Sequence, residues 1–160
     1  MQPTRHLLPV IAVLLAGCAS APTAKLTADY PKEQAQIRTR LDEIIDAAEK
    51  KDFARLDSYH FYGPKFTKFA PEAPGRQDAE AARKGEHDGL GAATGLAMRA
   101  DDLKIDVFGD VGIATFVLEY SFKAPSGVVE KKARSTMVFV KEGGAWKIAH
   151  EHLSALKSNP

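Results

Sequence analysis

Arg134-Ser-Thr-Met-Val-Phe-Val-Lys-Glu-Gly-Gly-Ala-Trp-Lys-Ile-Ala-His-Glu-His-Leu-Ser154 reads as a β-hairpin. Two runs rich in β-branched and aromatic residues flank Gly143-Gly144, and glycine accepts the positive φ that a tight turn requires. A three-residue loop, Glu142 to Gly144, sets Val140 opposite Trp146, Val138 opposite Ile148, Thr136 opposite His150 and Arg134 opposite His152. A four-residue loop would instead bring up Met137 and Ser135. Side chains alternate along a strand, so Trp146, Ile148, His150, His152 and Ser154 are expected on one face in any register. That face grades from apolar to polar and brings two imidazoles near a guanidinium.

Outward from this hairpin, the preceding chain also has a period of two. Leu103, Ile105 and Val107 form one strand, Gly109-Asp110 turns it, and Val111 to Lys123 forms a long partner. Both faces of that partner are apolar, so both need cover: one packs on helices and the other invites a second subunit. Ala124-Pro125-Ser126-Gly127 leads back into the final hairpin, whose reverse face would carry Met137, Phe139, Ala149 and Leu153.

The first half is helical. Ile37, Leu41, Ile44, Ile45 and Ala48 make a helical stripe, Pro31 fits the first turn, and Asp52 can cap a second short helix carrying Phe53 and Leu56 inward. Tyr59 to Phe69 is the densest aromatic stretch and predicts part of a wall. His60 and Tyr62 within it are candidate ligand contacts, and core packing is the alternative. Asp78 can cap a third helix running from Ala79 to about His87, with glycines at 85, 89, 91 and 95 loosening its end. Helices first and hairpins after define an α+β domain.

The ending Trp-Lys-Ile-Ala-His-Glu-His-Leu-Ser, preceded by Arg-Ser-Thr and the Gly-Gly turn, resembles the SnoaL-like branch of the nuclear transport factor 2-like superfamily. The likeness runs from about Gln34 to Ser154, through the turn Ala-Ala-Glu-Lys-Lys-Asp-Phe-Ala-Arg-Leu and the hairpin Phe-Gly-Asp-Val-Gly-Ile-Ala. It implies a cystatin-like cone, with N-terminal helices packed in a strongly curved antiparallel sheet around an open apolar pocket. It implies no single chemistry. Ketosteroid isomerases of this superfamily use a carboxylate base and a tyrosine; laid over this chain, those positions fall near Lys68 or Phe69 and near Ile44, which cannot abstract a proton in that way.

The N-terminus reads differently. Arg5 and His6 precede the apolar run Leu7 to Ala16, and Leu15-Ala16-Gly17-Cys18 matches a bacterial lipobox. Residues 1–17 are expected to be a lipoprotein signal peptide and residues 18–30 a lipidated cysteine with a flexible tether. Residues 31–158 are then the SnoaL-like domain. Acyl chains on Cys18, palmitate among them, would anchor the protein in the cell envelope, since several chains give durable attachment. Ala19 lacks the aspartate associated with inner-membrane retention, which points to the periplasmic face of the outer membrane. Cleavage after Ala21 and a soluble periplasmic product is the alternative.

Cys18 is the only cysteine, so no intrachain disulfide forms. The 22 basic residues include Arg5, and without it they equal the 21 acidic ones, a balance that argues against nucleic acid as a partner. No dinucleotide or phosphate-loop fingerprint appears, and no cofactor is expected. His150-Glu-His152 could begin a metal site, but a third ligand is not evident and Arg134 would repel a cation, so no metal is expected.

The candidate site is therefore His152 as general base with His150 beside it. Arg134 is the expected anion anchor, with Thr136, Ser154, Trp146, His60, Tyr62 and Asp78 as ligand contacts. A structural polar network is the alternative for the same groups. The expected product is a small-molecule-binding protein, with a lyase, isomerase or cyclase and a non-catalytic dimeric scaffold as the other readings. A homodimer through the outer sheet face is expected.

Overall fold

The computed structural model describes residues 26–156; the expected signal peptide, Cys18 and most of the expected tether lie outside the described residues. Helix α1 spans Pro31–Lys50, with Pro31 in its first turn, and buries Ile37, Leu41, Ile44, Ala47 and Ala48. Lys51 ends it in the left-handed region at φ 55°, where its N–H reaches the Ala47 and Ala48 carbonyls. Asp52 then caps α2, Phe53–Ser58, by accepting from the Arg55 N–H at 3.1 Å. The short strand β1, Thr67–Phe69, precedes helix α3, Ala79–Ala92, which Asp78 caps through the Ala81 N–H at 2.9 Å.

Four long strands follow: β2 (Thr94–Phe108), β3 (Val111–Ala124), β4 (Gly127–Glu142) and β5 (Ala145–Ala155). They form one sheet in the order β1-β5-β4-β3-β2. The expected antiparallel sheet is thus mixed at one edge, because β1 runs parallel to β5.

Two element boundaries differ from expectation. Helix α3 continues past His87 to Ala92 despite its glycines, and Lys51 Nζ donates to the Gly91 carbonyl at 2.8 Å, satisfying one of the acceptors left at the helix end. Strand β2 starts at Thr94, well before Leu103. Asp102, at φ 50°, absorbs an irregularity between Asp101 and Lys104, so pairing with β3 persists on both sides of it.

Helix α1 packs across β2, β3 and β5. Its approach is close enough that a Cβ on Gly112 would lie 2.3 Å from Ile37 Cδ1. Phe139, Ile148, Trp146, Phe66 and Met137 fill the space between helices and sheet. The Trp146 indole donates to Gln36 Oε1 at 3.2 Å, which satisfies its one polar atom.

The final hairpin corrects the sequence-based register twice. Its loop has two residues, Gly143 and Gly144, at φ 57° and 83°, with Glu142 opposite Ala145. Lys141 therefore pairs with Trp146, and Phe139 with Ile148. The register then slips by one residue, at Ala149, so that Val138 faces His150, Thr136 faces His152 and Arg134 faces Ser154. This β-bulge inverts the side-chain alternation. Trp146 and Ile148 point into the core before it; Glu151 and Leu153 do so after it, with Met137 and Ser135 opposite them. His150, His152 and Ser154 are turned to the outer face with Arg134 and Thr136, not onto the face of Trp146.

Candidate functional site

The inward turn of β5 delivers Glu151 to the concave side, where four segments converge. His60 follows α2, Lys68 is the middle of β1, Glu86 is on α3, and Glu151 pairs in register with Lys68. Three of these groups are almost sealed from solvent: His60 and Glu151 are 4% exposed and Lys68 8%. Lys68 Nζ bridges the two carboxylates, lying 2.6 Å from Glu151 Oε2 and in direct contact with Glu86 Oε1. His60 Nε2 lies 3.3 Å from Glu151 Oε1 and 3.8 Å from Glu86 Oε2. The Tyr62 hydroxyl donates to Glu86 Oε2 at 3.1 Å, and its ring stacks on His60 at 4.7 Å. Phe66 closes the edge of both rings.

The protonation of this network follows from its contacts. His60 Nδ1 faces the Leu56 carbonyl at 2.9 Å, which can only accept, so Nδ1 carries a proton. Nε2 faces two carboxylates, and those contacts are favourable only if a further proton sits on His60 or on a glutamate. Two carboxylates, one ammonium and one imidazole thus hold one extra proton between them, which brings the buried charge to zero.

The pKa directions agree. Burial opposes charge on His60, but the hydrogen bond and negative charge of Glu151, with the charge of Glu86, outweigh it and raise its pKa. Burial likewise opposes charge on Lys68 and is overcome by Glu151 and Glu86, so the ammonium is held more firmly than usual. Glu151 is buried too, yet the Lys68 charge and the His60 hydrogen bond hold it well below the usual carboxylate range. For Glu86, burial and the Glu151 charge prevail over Lys68 and His60, and its pKa is raised. Burial and the Glu86 and Glu151 charges push the Tyr62 phenol far above its ordinary value, so it stays a donor. Glutamates pushed in opposite directions provide one permanent anion and one group able to exchange a proton.

Of the sequence-based candidates, His60 and Tyr62 belong to this network. His150, His152, Arg134, Thr136 and Ser154 come together on the outer face instead, where His150 Nδ1 meets Thr67 Oγ1 at 2.7 Å and the exposed Phe69 ring lies 5.8 Å from His152. Trp146 is a core residue, and Asp78 is an exposed helix cap. Lys68, Glu86 and Glu151 were missed. Glu151 sits between the two histidines in sequence; strand alternation puts it on the face opposite to theirs, and the bulge at Ala149 turns that face inward. His60, Glu86 and Glu151 offer ligand atoms within 4.8 Å of one another, but Lys68 Nζ already binds both carboxylates and takes the place a cation would need.

Toward the far ends of β2 to β5 the concave face opens into a groove of about 830 Å³. Met98, Tyr120 and Lys131 form one rung of its wall, and Val129, Ala155, Leu156 and Glu72, with Ala97, Ser121 and Glu130, also line it. Arg99 and Lys132, both paired to Glu119, form a charged rim. The groove does not include the lysine network, which lies deeper along β5.

Helices set on the concave side of a curved five-stranded sheet, over a groove and a buried polar floor, define a cone of the nuclear transport factor 2-like fold. The chain belongs to the SnoaL-like domain family, whose profile matches residues 37–158. Among solved structures it is similar to a protein of this fold from Streptomyces avermitilis, provisionally assigned as a dehydratase, at 17% identity and TM-score 0.71, covering 81% of this chain and 100% of that one. The CaMKII hub of S. rosetta is similar at 24% identity and TM-score 0.67, again over 81% and 100%. A superfamily protein from Salmonella enterica matches at 15% identity and TM-score 0.70, over 81% and 94%. No curated protein matches the sequence.

Proposed function

We propose that this is a lipid-anchored envelope protein whose cone binds a small, mostly apolar molecule bearing a carbonyl or acid group. The observation that carries the binding reading is the groove, where Met98, Tyr120, Val129, Ala155 and Leu156 supply apolar surface beside charged residues that include Glu72, Arg99, Glu130 and Lys131. Anchoring rests on the apolar run and lipobox ending at Cys18, with the domain facing the periplasm from the outer membrane. The outer face supports a homodimer. Ile113, Val117, Val138 and Val140 are only partly covered there, and hub domains among the similar structures show that this fold serves assembly in other proteins.

Native mass spectrometry of protein purified from its own host tests the binding reading: a co-purified small molecule is expected, and its absence together with no uptake of any apolar acid or ketone refutes it. Incorporation of an alkyne-tagged palmitate that is lost in Cys18→Ala tests the anchor, and labelling that persists in that variant rejects it.

A second reading, acid–base turnover as a lyase, isomerase or cyclase, is favoured by the extra proton held among His60, Glu86 and Glu151 and by the Tyr62 hydroxyl that donates to Glu86. Any such activity should vanish in Glu86→Gln and survive in His152→Gln.

A further inference from the structure

The groove at the ends of β2 to β5 joins a half-buried bed to an exposed, charged rim. Met98, Tyr120, Val129 and Leu156 are half-buried there, whereas Glu72 and Lys131 are exposed. Of the groove's cations, Arg99 and Lys132 are committed to Glu119. Lys131 has no carboxylate partner among the described residues, and its ammonium lies 5.9 Å from the centre of the Phe122 ring. Glu72, in the loop between β1 and α3, has no cationic partner among the described residues. Glu130 is unpaired as well, but alternation along β4 turns it to the side opposite Lys131. Tyr120 ties the two free charges to one place. It is the register partner of Lys131, and burial together with the negative charge of Glu72 raises the pKa of its phenol, which therefore stays a donor. An ammonium and a carboxylate thus flank one hydroxyl over an apolar bed without forming an ion pair with each other.

Resting on the binding reading above and naming its ligand class, we propose that the groove is a site for an α-amino acid with an apolar side chain. Lys131 Nζ takes the carboxylate, with the Tyr120 hydroxyl as a second donor to it, and Glu72 takes the ammonium. The side chain lies on Met98, Val129 and Leu156. A molecule with only one of the two charges fits less well. A plain apolar acid brings its carboxylate to Lys131 with nothing to offset the repulsion of Glu72, and a plain amine meets the same difficulty from Lys131. The zwitterion satisfies both walls at once.

The test is titration of the mature chain at low salt, followed by backbone amide chemical shifts, with three probes of similar shape: L-phenylalanine, 3-phenylpropanoate and 2-phenylethylamine. Each is run on wild type, Lys131→Met and Glu72→Gln, both of which change exposed side chains and leave the core intact. L-Phenylalanine should bind wild type tightest and move the amides around Tyr120 and Lys131. Each substitution should weaken it about two- to fivefold, as expected for loss of one exposed charge pair. The single-charge probes give the signature: Glu72→Gln should tighten 3-phenylpropanoate and Lys131→Met should tighten 2-phenylethylamine, because each removes a like charge. Added salt should shrink these differences. If 3-phenylpropanoate binds wild type as tightly as phenylalanine and gains nothing in Glu72→Gln, the amino-acid assignment is overturned while a groove for apolar acids remains. Shifts confined to residues outside the groove overturn it too. If none of the probes binds wild type, this proposal falls, and a ligand of another class co-purifying from the host would preserve the binding reading alone.

Discussion

Replacing Lys68 by Met removes the one ammonium between Glu86 and Glu151 while keeping the bulk of the side chain. Both carboxylates remain in a site where Lys68 is 8% and Glu151 4% exposed, and burial leaves little solvent to take over the screening. Breaking a buried ion pair from one side costs about 3–5 kcal/mol, a large part of the roughly 5–15 kcal/mol that holds a domain of this size together. With a urea slope of about 1.5–2 kcal/mol per molar, the unfolding midpoint should fall by about 2 M. Trp146, the chain's single tryptophan and 2% exposed, reports the transition by fluorescence. The loss should shrink near pH 5, where a carboxylate freed of its lysine takes up a proton instead of staying buried as an anion. It should also shrink when Glu86→Gln and Glu151→Gln are added, because the uncompensated charges are then gone. A cost below about 1 kcal/mol, or one that is the same at pH 5 and pH 8, would refute the view that these groups form one charge-balanced unit.

Other consequences can be measured in the same assay. The folded chain holds the His60 proton more tightly than the unfolded chain does, so this contribution is full below pH about 6.5 and fades as pH rises through the folded value; His60→Gln should flatten that decline. Gly112→Ala should cost about 1–3 kcal/mol by driving a methyl group into Ile37 Cδ1, and the companion change Ile37→Val should recover part of it. Phe139→Ala, at a fully buried position, should cost about 3–5 kcal/mol. His152→Gln, on the exposed outer face, should shift stability by less than about 0.5 kcal/mol, whereas Glu151→Gln one residue earlier should be strongly destabilising.

The sequence by itself determined the three helices, the hairpins that follow them, the caps at Asp52 and Asp78, the stripe of α1 and the class of fold, because each rests on local periodicity or on the φ preferences of a few residues; the short strand β1 was not legible. Pairing partners were legible wherever a turn was unambiguous, as at Gly109-Asp110. What only the tertiary structure decided is which side of β5 faces inward. An extra residue at Ala149 is marked in the apolar pattern only by Leu153, whose parity differs from that of Trp146 and Ile148, yet it exchanges the faces of everything beyond it. His150 and His152, the residues that looked most like chemistry, were carried outward by that exchange, and Glu151 was carried in. Lys68 and Glu86 were illegible for a related reason: a charged residue in sequence reads as surface, and it becomes interior only when partners 18 and 83 residues along the chain arrive to neutralise it. Such long-range compensation of charge is a property of the assembled cone, in which β1, α3 and β5 meet.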